Sequence, residues 1–328
     1  MMSTLPTIII LASLFLIELA YFKIANHFNI IDKPNARSSH NTITLRGGGI
    51  IFVIAGLIFY LFTGFQYSYF ILGLSAIGVI SFLDDLLTLN NKVRLAVHLL
   101  SVLLVFYQWE LFSFPWYWLI IAGIFVIGTI NAYNFMDGIN GITGGYSLVT
   151  ILSLFYINNR VIAFTSNELL IIVGLSLLVF NFFNFRTRAK CFAGDVGSVS
   201  ISFIIIFLIG QLILKTHNYA YILLLLCYGL DTSFTVFFRK IRKENIFKAH
   251  RNHFYQYLAN QLKWPHLVVS GLYFVVQLAI NLVLIFLVKD SSLIAIGCLI
   301  VSGILFIAIR FLVEGKTLLL KQTIVDKE

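Results

Sequence analysis

Long apolar runs recur along almost the whole chain, and they limit what it can fold into. Of its 328 residues, 59% are hydrophobic and only 11% are charged, and the mean hydropathy is +0.94. A soluble domain of this size has too little interior to bury so much apolar surface. Runs of about 18 or more apolar residues are the signature of membrane-spanning helices. The chain is therefore predicted to be an all-α polytopic membrane protein.

Eleven segments are candidate membrane spans. In chain order they are residues 4–22, 49–64, 67–83, 93–110, 115–133, 142–158, 168–185, 198–214, 219–238, 266–288 and 291–312. The first lacks a basic segment before it and a small-residue cleavage site after it, which favours a retained span over a signal peptide. We expect residues 1–328 to form one integral membrane domain, with a polar loop at 239–265 and a C-terminal tail at 314–328.

Basic residues are distributed unevenly over the two ends of these predicted spans. Of the 23 Lys and Arg residues, 20 fall on one side, and only Arg160, Lys215 and Lys289 fall on the other. Loops rich in Lys and Arg stay in the cytoplasm. An odd number of spans then predicts an N-terminus outside and a cytoplasmic C-terminus. The net charge of +9 reflects this bias rather than nucleic-acid binding.

Five carboxylates gather at the predicted cytoplasmic face. Asp84 and Asp85 end the third span, Asp137 follows the fifth, Asp195 precedes the eighth, and Asp231 lies in the ninth. Adjacent carboxylates repel each other, which raises one pKa unless a cation neutralises them. Mg²⁺ suits such a site because it binds carboxylate oxygens and bridges to substrate phosphates. A solvated pair of acids at a helix end is the alternative for the first two.

Two glycine-containing segments have the composition of phosphate-binding loops. NFMDGINGITGG places Asn134, Asp137 and Asn140 among four glycines, and AKCFAGDVGSVS places Lys190 shortly before Asp195. Glycine allows a ligand to approach the backbone closely, and the N-terminus of a following helix favours phosphate. An ordinary turn and an ordinary helix cap are the alternatives.

Two basic loops complete the predicted site. The positive-inside bias is enough to explain the positive charge of residues 239–256, RKIRKENIFKAHRNHFYQ. If part of it is helical, His250 and His253 share a face, and Arg251 can bind two phosphate oxygens at once. The first loop, KPNARSSHNTITLRGGG, offers Arg46 and a glycine backbone for further phosphate contacts.

Five of these segments, in this order, resemble those of the bacterial polyprenyl-phosphate N-acetylhexosamine-1-phosphate transferases, glycosyltransferase family 4. They are FLDDLLTLNNKVRL, NAYNFMDGINGI, FAGDVGS, DTSFTVFFRKI and FKAHRNHFYQ. The resemblance covers about residues 33–256. Eleven spans are more similar to the O-antigen and glycan-initiating branch than to the phospho-N-acetylmuramoyl-pentapeptide transferases of peptidoglycan synthesis, which are the alternative.

The resemblance implies a reaction. A HexNAc-1-phosphate passes from a UDP-sugar to undecaprenyl (polyprenyl) phosphate at the cytoplasmic face of the bacterial inner membrane, and UMP is released. The family depends on Mg²⁺, for which Mn²⁺ is a possible substitute. Both substrates are anionic, so the site must supply positive charge.

The resemblance also implies roles for single residues. Asp195 matches the family's magnesium-binding aspartate, while Asp84 and Asp85 match its aspartate pair, linked to the metal site or to activation of the lipid phosphate. Asn134, Asp137 and Asn140 match the segment linked to nucleotide binding. Substrate and phosphate contacts are expected from Arg46, Lys190, Asp231, Arg239, His250, Arg251 and His253.

Three positions depart from the family pattern. Tyr255 and Gln256 stand where further histidines are usual, and Asn140 stands where many members have Asp. These departures bear on the donor sugar rather than on the reaction class. A transporter is the main alternative of another class, but transporters usually place ionisable residues near mid-membrane. The donor sugar, the glycan pathway and the oligomeric state, a homodimer included, stay open.

Overall fold

The computed structural model describes residues 3–32, 43–87, 89–246, 250–289 and 291–321. The predicted RSSH segment and the end of the predicted C-terminal tail lie outside these ranges. The described helices are α1 (Thr4–His27), α2 (Ile50–Phe62), α3 (Ser68–Leu87), α4 (Asn91–Gln108), α5 (Trp116–Met136), α6 (Ile142–Arg160), α7 (Asn167–Asn184), α8 (Gly194–Thr216), α9 (Leu226–Ile241), α10 (Phe254–Gln256), α11 (His266–Val283), α12 (Ser292–Glu314) and α13 (Lys316–Leu320). A 3₁₀ segment (Tyr219–Leu225) leads into α9, and π-helical turns extend α10 (Tyr257–Gln261) and α11 (Leu284–Val288).

Eight helical segments in the described ranges are long and apolar enough to cross a membrane. They are Thr4–His27, Ser68–Leu87, Trp116–Met136, Asn167–Asn184, Gly194–Thr216, Tyr219–Ile241, His266–Val288 and Ser292–Glu314. The remaining three predicted spans coincide with α2, α4 and α6, of which α2 is apolar but shorter. The prediction of an all-α polytopic membrane protein is confirmed. The count of eleven spans and the orientation of the termini stay predictions.

Helix α8 is the central element of the fold. In the most apolar 18-residue stretch of α8, 83% of the residues are buried inside the protein, whereas the corresponding value for α12 is 6%. It packs against α2, α3 and α5. Close approach to α2 depends on glycine, since a Cβ on Gly49 would lie only 2.2 Å from the Cα of Gly197. The N-terminus of α8 is thereby enclosed by three other helices.

A short extended pairing lies at the same end of the bundle. β1 (Ile31–Asp32) pairs antiparallel with β2 (Thr44–Leu45). The carbonyl of Leu45 accepts a hydrogen bond from the N–H of Phe192 at 2.8 Å, and the N–H of Gly48 donates to the Phe192 carbonyl at 2.9 Å. This pairing joins the first loop to the segment that leads into α8.

Candidate active site

Asp85, near the end of α3, caps the first turn of α8. Its Oδ1 accepts a hydrogen bond from the backbone N–H of Asp195 at 3.0 Å, and its Oδ2 accepts one from Val196 at 3.1 Å. The N–H groups of a first helical turn have no partner within their own helix, and a helix N-terminus attracts negative charge. The fully buried carboxylate of Asp85 therefore fixes Asp195 beside the end of α3.

Two arginines connect the three predicted carboxylates. Nη2 of Arg46 lies 2.8 Å from Asp85 and 3.5 Å from Asp195. Nη1 of Arg94 lies 2.5 Å from Asp84 and 3.6 Å from Asp195. These five residues are called the carboxylate–arginine cluster below. The structure thus brings together side chains from the first loop, α3, α4 and α8 at one end of the bundle.

Arg94 is not among the residues predicted for the site, because a basic residue after a span is usual on the cytoplasmic side. Its signal in the sequence is its spacing. Arg94 follows Asp84 by ten residues, across one turn and the start of the next helix, so that the two side chains meet.

The segment NFMDG contributes two polar side chains next to the cluster. Oδ1 of Asn134 accepts a hydrogen bond from the Ser198 hydroxyl at 3.0 Å. Oδ1 of Asp137 accepts one from the Thr143 hydroxyl at 2.6 Å. Burial raises the pKa of Asp137 to about 7, the Thr143 hydrogen bond opposes this rise, and repulsion from the cluster's carboxylates adds to it.

The raised pKa of Asp137 predicts a pH-dependent stability. Its ordinary pKa is 3.8 and its pKa in the folded protein is about 7, so between these values only the folded state keeps the proton. The free energy of unfolding should fall as the pH rises from about 4 to about 7, by at most about 1.4 kcal/mol per pH unit from this group, and then level off. Asp137→Asn, which cannot titrate, should show a shallower decline when unfolding is measured without divalent cations. A slope equal to that of the wild type would contradict the assignment.

Asp231 accepts hydrogen bonds from backbone N–H groups of the last loop, as Asp85 does from those of the first turn of α8. Its fully buried carboxylate accepts hydrogen bonds from the N–H groups of Phe254 at 2.9 Å and Tyr255 at 3.2 Å, and from the Tyr273 hydroxyl at 2.5 Å. Nδ1 of His253 lies 3.4 Å away. Asp231 therefore positions the loop that precedes α10 and has no exposed surface for substrate.

The Arg239 side chain contacts several residues of the same loop. Its guanidinium is almost fully buried and donates to the Glu244 carboxylate at 3.0 Å and to the Ile246 carbonyl at 3.1 Å, and it contacts Nδ1 of His250 at 2.8 Å. A direct contact of Arg239 with phosphate stays a prediction, and it would require these bonds to change.

Of the two positions that depart from the family's histidine pattern, Tyr255 attaches the last loop to NFMDG and Gln256 forms a contact within the loop. The Tyr255 hydroxyl donates to the Phe135 carbonyl at 2.9 Å and occupies the space that a Cβ on Gly138 would need. The Gln256 side chain accepts a hydrogen bond from the backbone N–H three residues before it, at 3.4 Å. The rings of the loop's two histidines lie 5.9 and 6.0 Å from the Phe135 ring. These contacts bring the last loop next to the cluster.

The remaining predicted residues differ in accessibility. The buried side chain of Asn140 donates to the carbonyls of Arg186 and Thr187 at 2.8 and 3.2 Å, so it supports the chain that leads to Lys190. Lys190 is exposed, and Arg251 is half-buried in the last loop. Nucleotide binding by Asn140 stays a prediction.

The donor set of the cluster has the chemistry of a magnesium site, although it is not arranged as one. No three His, Cys, Asp or Glu side chains in the part of the chain that the structure describes are spaced to hold a metal ion as they stand. Three carboxylates face two guanidinium groups, so one negative charge is left to balance a cation, and all the donor atoms are the hard oxygens that Mg²⁺ prefers. Asp195 has the most exposed side chain of the three, at 22%, and the longest arginine contacts.

The chain is similar in sequence to several known proteins. The model of the family "Glycosyl transferase family 4" matches residues 67–215. A Bacillus subtilis (strain 168) protein named "Probable undecaprenyl-phosphate N-acetylglucosaminyl 1-phosphate transferase" is 27% identical over 72% of this chain and 71% of its own length. Proteins named "Undecaprenyl-phosphate alpha-N-acetylglucosaminyl 1-phosphate transferase" from Yersinia pestis and Escherichia coli (strain K12) are 28% and 27% identical, over 60% and 67% of this chain and 60% and 66% of their own lengths.

The matched stretch of residues 67–215 contains Asp84, Asp85, Arg94 and Asp195, which is most of the carboxylate–arginine cluster. The ordered segments predicted from the sequence, the helical membrane fold and these matches agree: residues 67–215 of the chain match glycosyl transferase family 4.

Proposed function

We propose that this protein transfers a HexNAc-1-phosphate from a UDP-sugar to undecaprenyl (polyprenyl) phosphate, giving polyprenyl-diphosphate-HexNAc and UMP, at the cytoplasmic face of the bacterial inner membrane. The observation that carries the proposal is the meeting of three carboxylates and two arginines at one end of a bundle of membrane helices. The names of the relatives support the lipid acceptor. The 20 basic residues of the predicted cytoplasmic side support the placement of the site.

The reaction mainly requires positive charge near the two phosphate substrates and their correct placement. A phosphate monoester has a second pKa of about 6, so the lipid phosphate carries close to two negative charges at neutral pH and is itself the nucleophile. One of its oxygens forms a bond to the sugar-bearing phosphorus, while the bond from that phosphorus to UMP breaks and UMP leaves with the electron pair. No proton has to move. Arg46 and Arg94 reduce the repulsion between the two anions.

Mg²⁺ is part of the proposal. When bound, it would neutralise charge on the phosphate oxygens. Asp195 is the first choice for holding it, with Asp84 and Asp85 beside it. Asp85 has a second role, because the caps that it provides for α8 hold Asp195 in position.

The direct test is product formation. Purified protein is incubated with polyprenyl phosphate, Mg²⁺ and a panel of UDP-HexNAc donors that includes UDP-MurNAc-pentapeptide, and the lipid product is weighed by mass spectrometry. A gain of one HexNAc-phosphate with a simple HexNAc donor supports the proposal. Product from the pentapeptide donor alone would assign the peptidoglycan reaction, and no lipid product from any donor would refute a transferase.

Metal removal gives a separate expectation. Chelation with EDTA should abolish lipid product, and excess Mg²⁺ or Mn²⁺ should restore it, since one negative charge in the cluster lacks a counter-charge. Turnover that is unaffected by chelation would refute a metal at the carboxylates.

Arg251 tests the role of the last loop. Because a guanidinium can bind two phosphate oxygens, Arg251→Ala should raise the KM for the UDP-sugar by about tenfold or more, with the acceptor KM unchanged. Lys240→Ala removes an exposed positive charge from the end of α9 and is the matched control. Equal kinetics in both variants would reduce the loop to an ordinary basic surface.

A further inference from the structure

A cavity of about 240 Å³ lies beside Asp195, between α3, α4, α5 and α8. Two helices give it polar side chains at helical spacing. Arg94 and His98 are four residues apart on α4, and Asn131 and Asn134 are three apart on α5. Residues with these spacings share one face of a helix. The cavity therefore has a polar wall that leads up to the carboxylate–arginine cluster.

Two of these polar groups have no use in the site described so far. Nε2 of His98 is buried and has no hydrogen-bond partner among the residues that the structure describes. Asn131 is an exposed amide on a helix that is otherwise strongly apolar. A polar group removed from water without a partner costs free energy, so the unpartnered Nε2 of His98 points to a ligand, and the Asn131 amide lines the same cavity.

The cavity borders the surface that faces lipid. Leu95 and Leu99 line it from α4 and are 53% and 42% exposed. None of the residues that the structure describes in the last loop lines it. Its volume is many times what one water needs, and it lies next to both the bilayer side of the bundle and Asp195.

We propose that this cavity binds the phosphate group of the polyprenyl phosphate acceptor, an inference that rests on the proposed function. His98 and Asn131 each donate an N–H to a phosphate oxygen, and Arg94 balances the negative charge. Neutral histidine carries one ring N–H in either tautomer, and the asparagine amide carries two. Hydrogen bonds to a charged acceptor are among the strongest that neutral donors make.

The main competing place for the lipid head is a groove of about 1000 Å³ between α5, α9 and α12. No charged side chain is among its described lining residues. An apolar groove of this kind cannot compensate the charge of a phosphate that leaves water. The cavity next to Arg94 can compensate this charge.

Substitutions in the two places separate the alternatives. His98→Ala and Asn131→Ala should each raise the acceptor KM by about tenfold or more and leave the donor KM and the melting temperature unchanged. His98→Gln keeps an N–H donor and should recover most of the loss. Gly128→Leu, the matched control, partly fills the groove between α5 and α9, where a Cβ meets nothing within 4 Å, and should keep the wild-type acceptor KM. An unchanged acceptor KM in both alanine variants, or a rise in Gly128→Leu alone, would overturn the inference.

Binding without the donor keeps the two proposals apart. Native mass spectrometry of the purified protein should show retention of polyprenyl phosphate over polyprenol, and less retention in His98→Ala and Asn131→Ala. Competition by millimolar inorganic phosphate would identify a site for free phosphate and overturn a lipid-phosphate site. If the wild type makes no lipid product with any donor, the proposed transfer fails, yet this binding difference still supports the cavity, and equal retention by wild type and variants refutes it.

Discussion

Asp195→Asn should abolish transfer, with a loss of about 10³-fold or more in kcat. The substitution removes one negative charge from the position that faces both Arg46 and Arg94. It should leave the fold intact, because Asp85 binds the backbone N–H of residue 195 and not its side chain. The measurement is lipid-product formation at saturating substrates, together with the melting temperature in detergent.

The matched control for this variant is Glu110→Gln. Glu110 is an exposed carboxylate at the other end of α4, so the same chemical change there should leave kcat unaffected. Substantial turnover by Asp195→Asn in the presence of Mg²⁺ would remove Asp195 from the metal site and with it the main support for the charge arrangement.

Gly194→Ala should also reduce activity, for a geometric reason. Gly194 begins α8 with φ +71°, and a Cβ there would lie 2.6 Å from Oδ2 of Asp85 and 3.0 Å from the backbone nitrogen of Gly47. The clash would push the first turn of α8 away from its cap. Because a displacement of about 1 Å in a catalytic group can cost about 10²-fold, we expect a loss of that order.

Gly64→Ala separates backbone strain from displacement of the site. Gly64 has φ +68°, almost the same as Gly194, but an added Cβ meets nothing within 4 Å. Both variants should lose about 1–2 kcal/mol of stability from the left-handed backbone, while only Gly194→Ala should lose activity. Equal activity in the two variants would show that the contact with Asp85 is not needed for function.

Local patterns in the sequence predict the helices well. All eleven predicted spans coincide with helical segments, because a backbone in lipid must satisfy its own hydrogen bonds and an apolar run of that length has no other way to do so. The acids near one end of the helix bundle follow from the same logic, since charged residues avoid the middle of the bilayer. The number of helices that cross the membrane depends also on the environment of α2, α4 and α6, which local hydropathy does not describe.

The sequence predicts which acids lie near the site but not the role of each one. Asp85, Asp195 and Asp231 are similar acids in similar positions of the sequence. In the structure, two of them cap backbone N–H groups, and the third is the most exposed carboxylate of the cluster. Which acid becomes a cap depends on which helix end it meets, and that is a contact between segments more than 20 residues apart.

The sequence alone determined that this chain spans a membrane, and it predicted that five of its acids and most of its bases lie at one face, because both follow from the cost of placing each residue in lipid or in water. Only the tertiary structure decided that Arg94 faces Asp84, that Tyr255 attaches the last loop to NFMDG, and that His98 lines a cavity beside Asp195. Those relations depend on how helices pack side by side, and packing is decided by the summed contacts of many residues rather than by any one stretch.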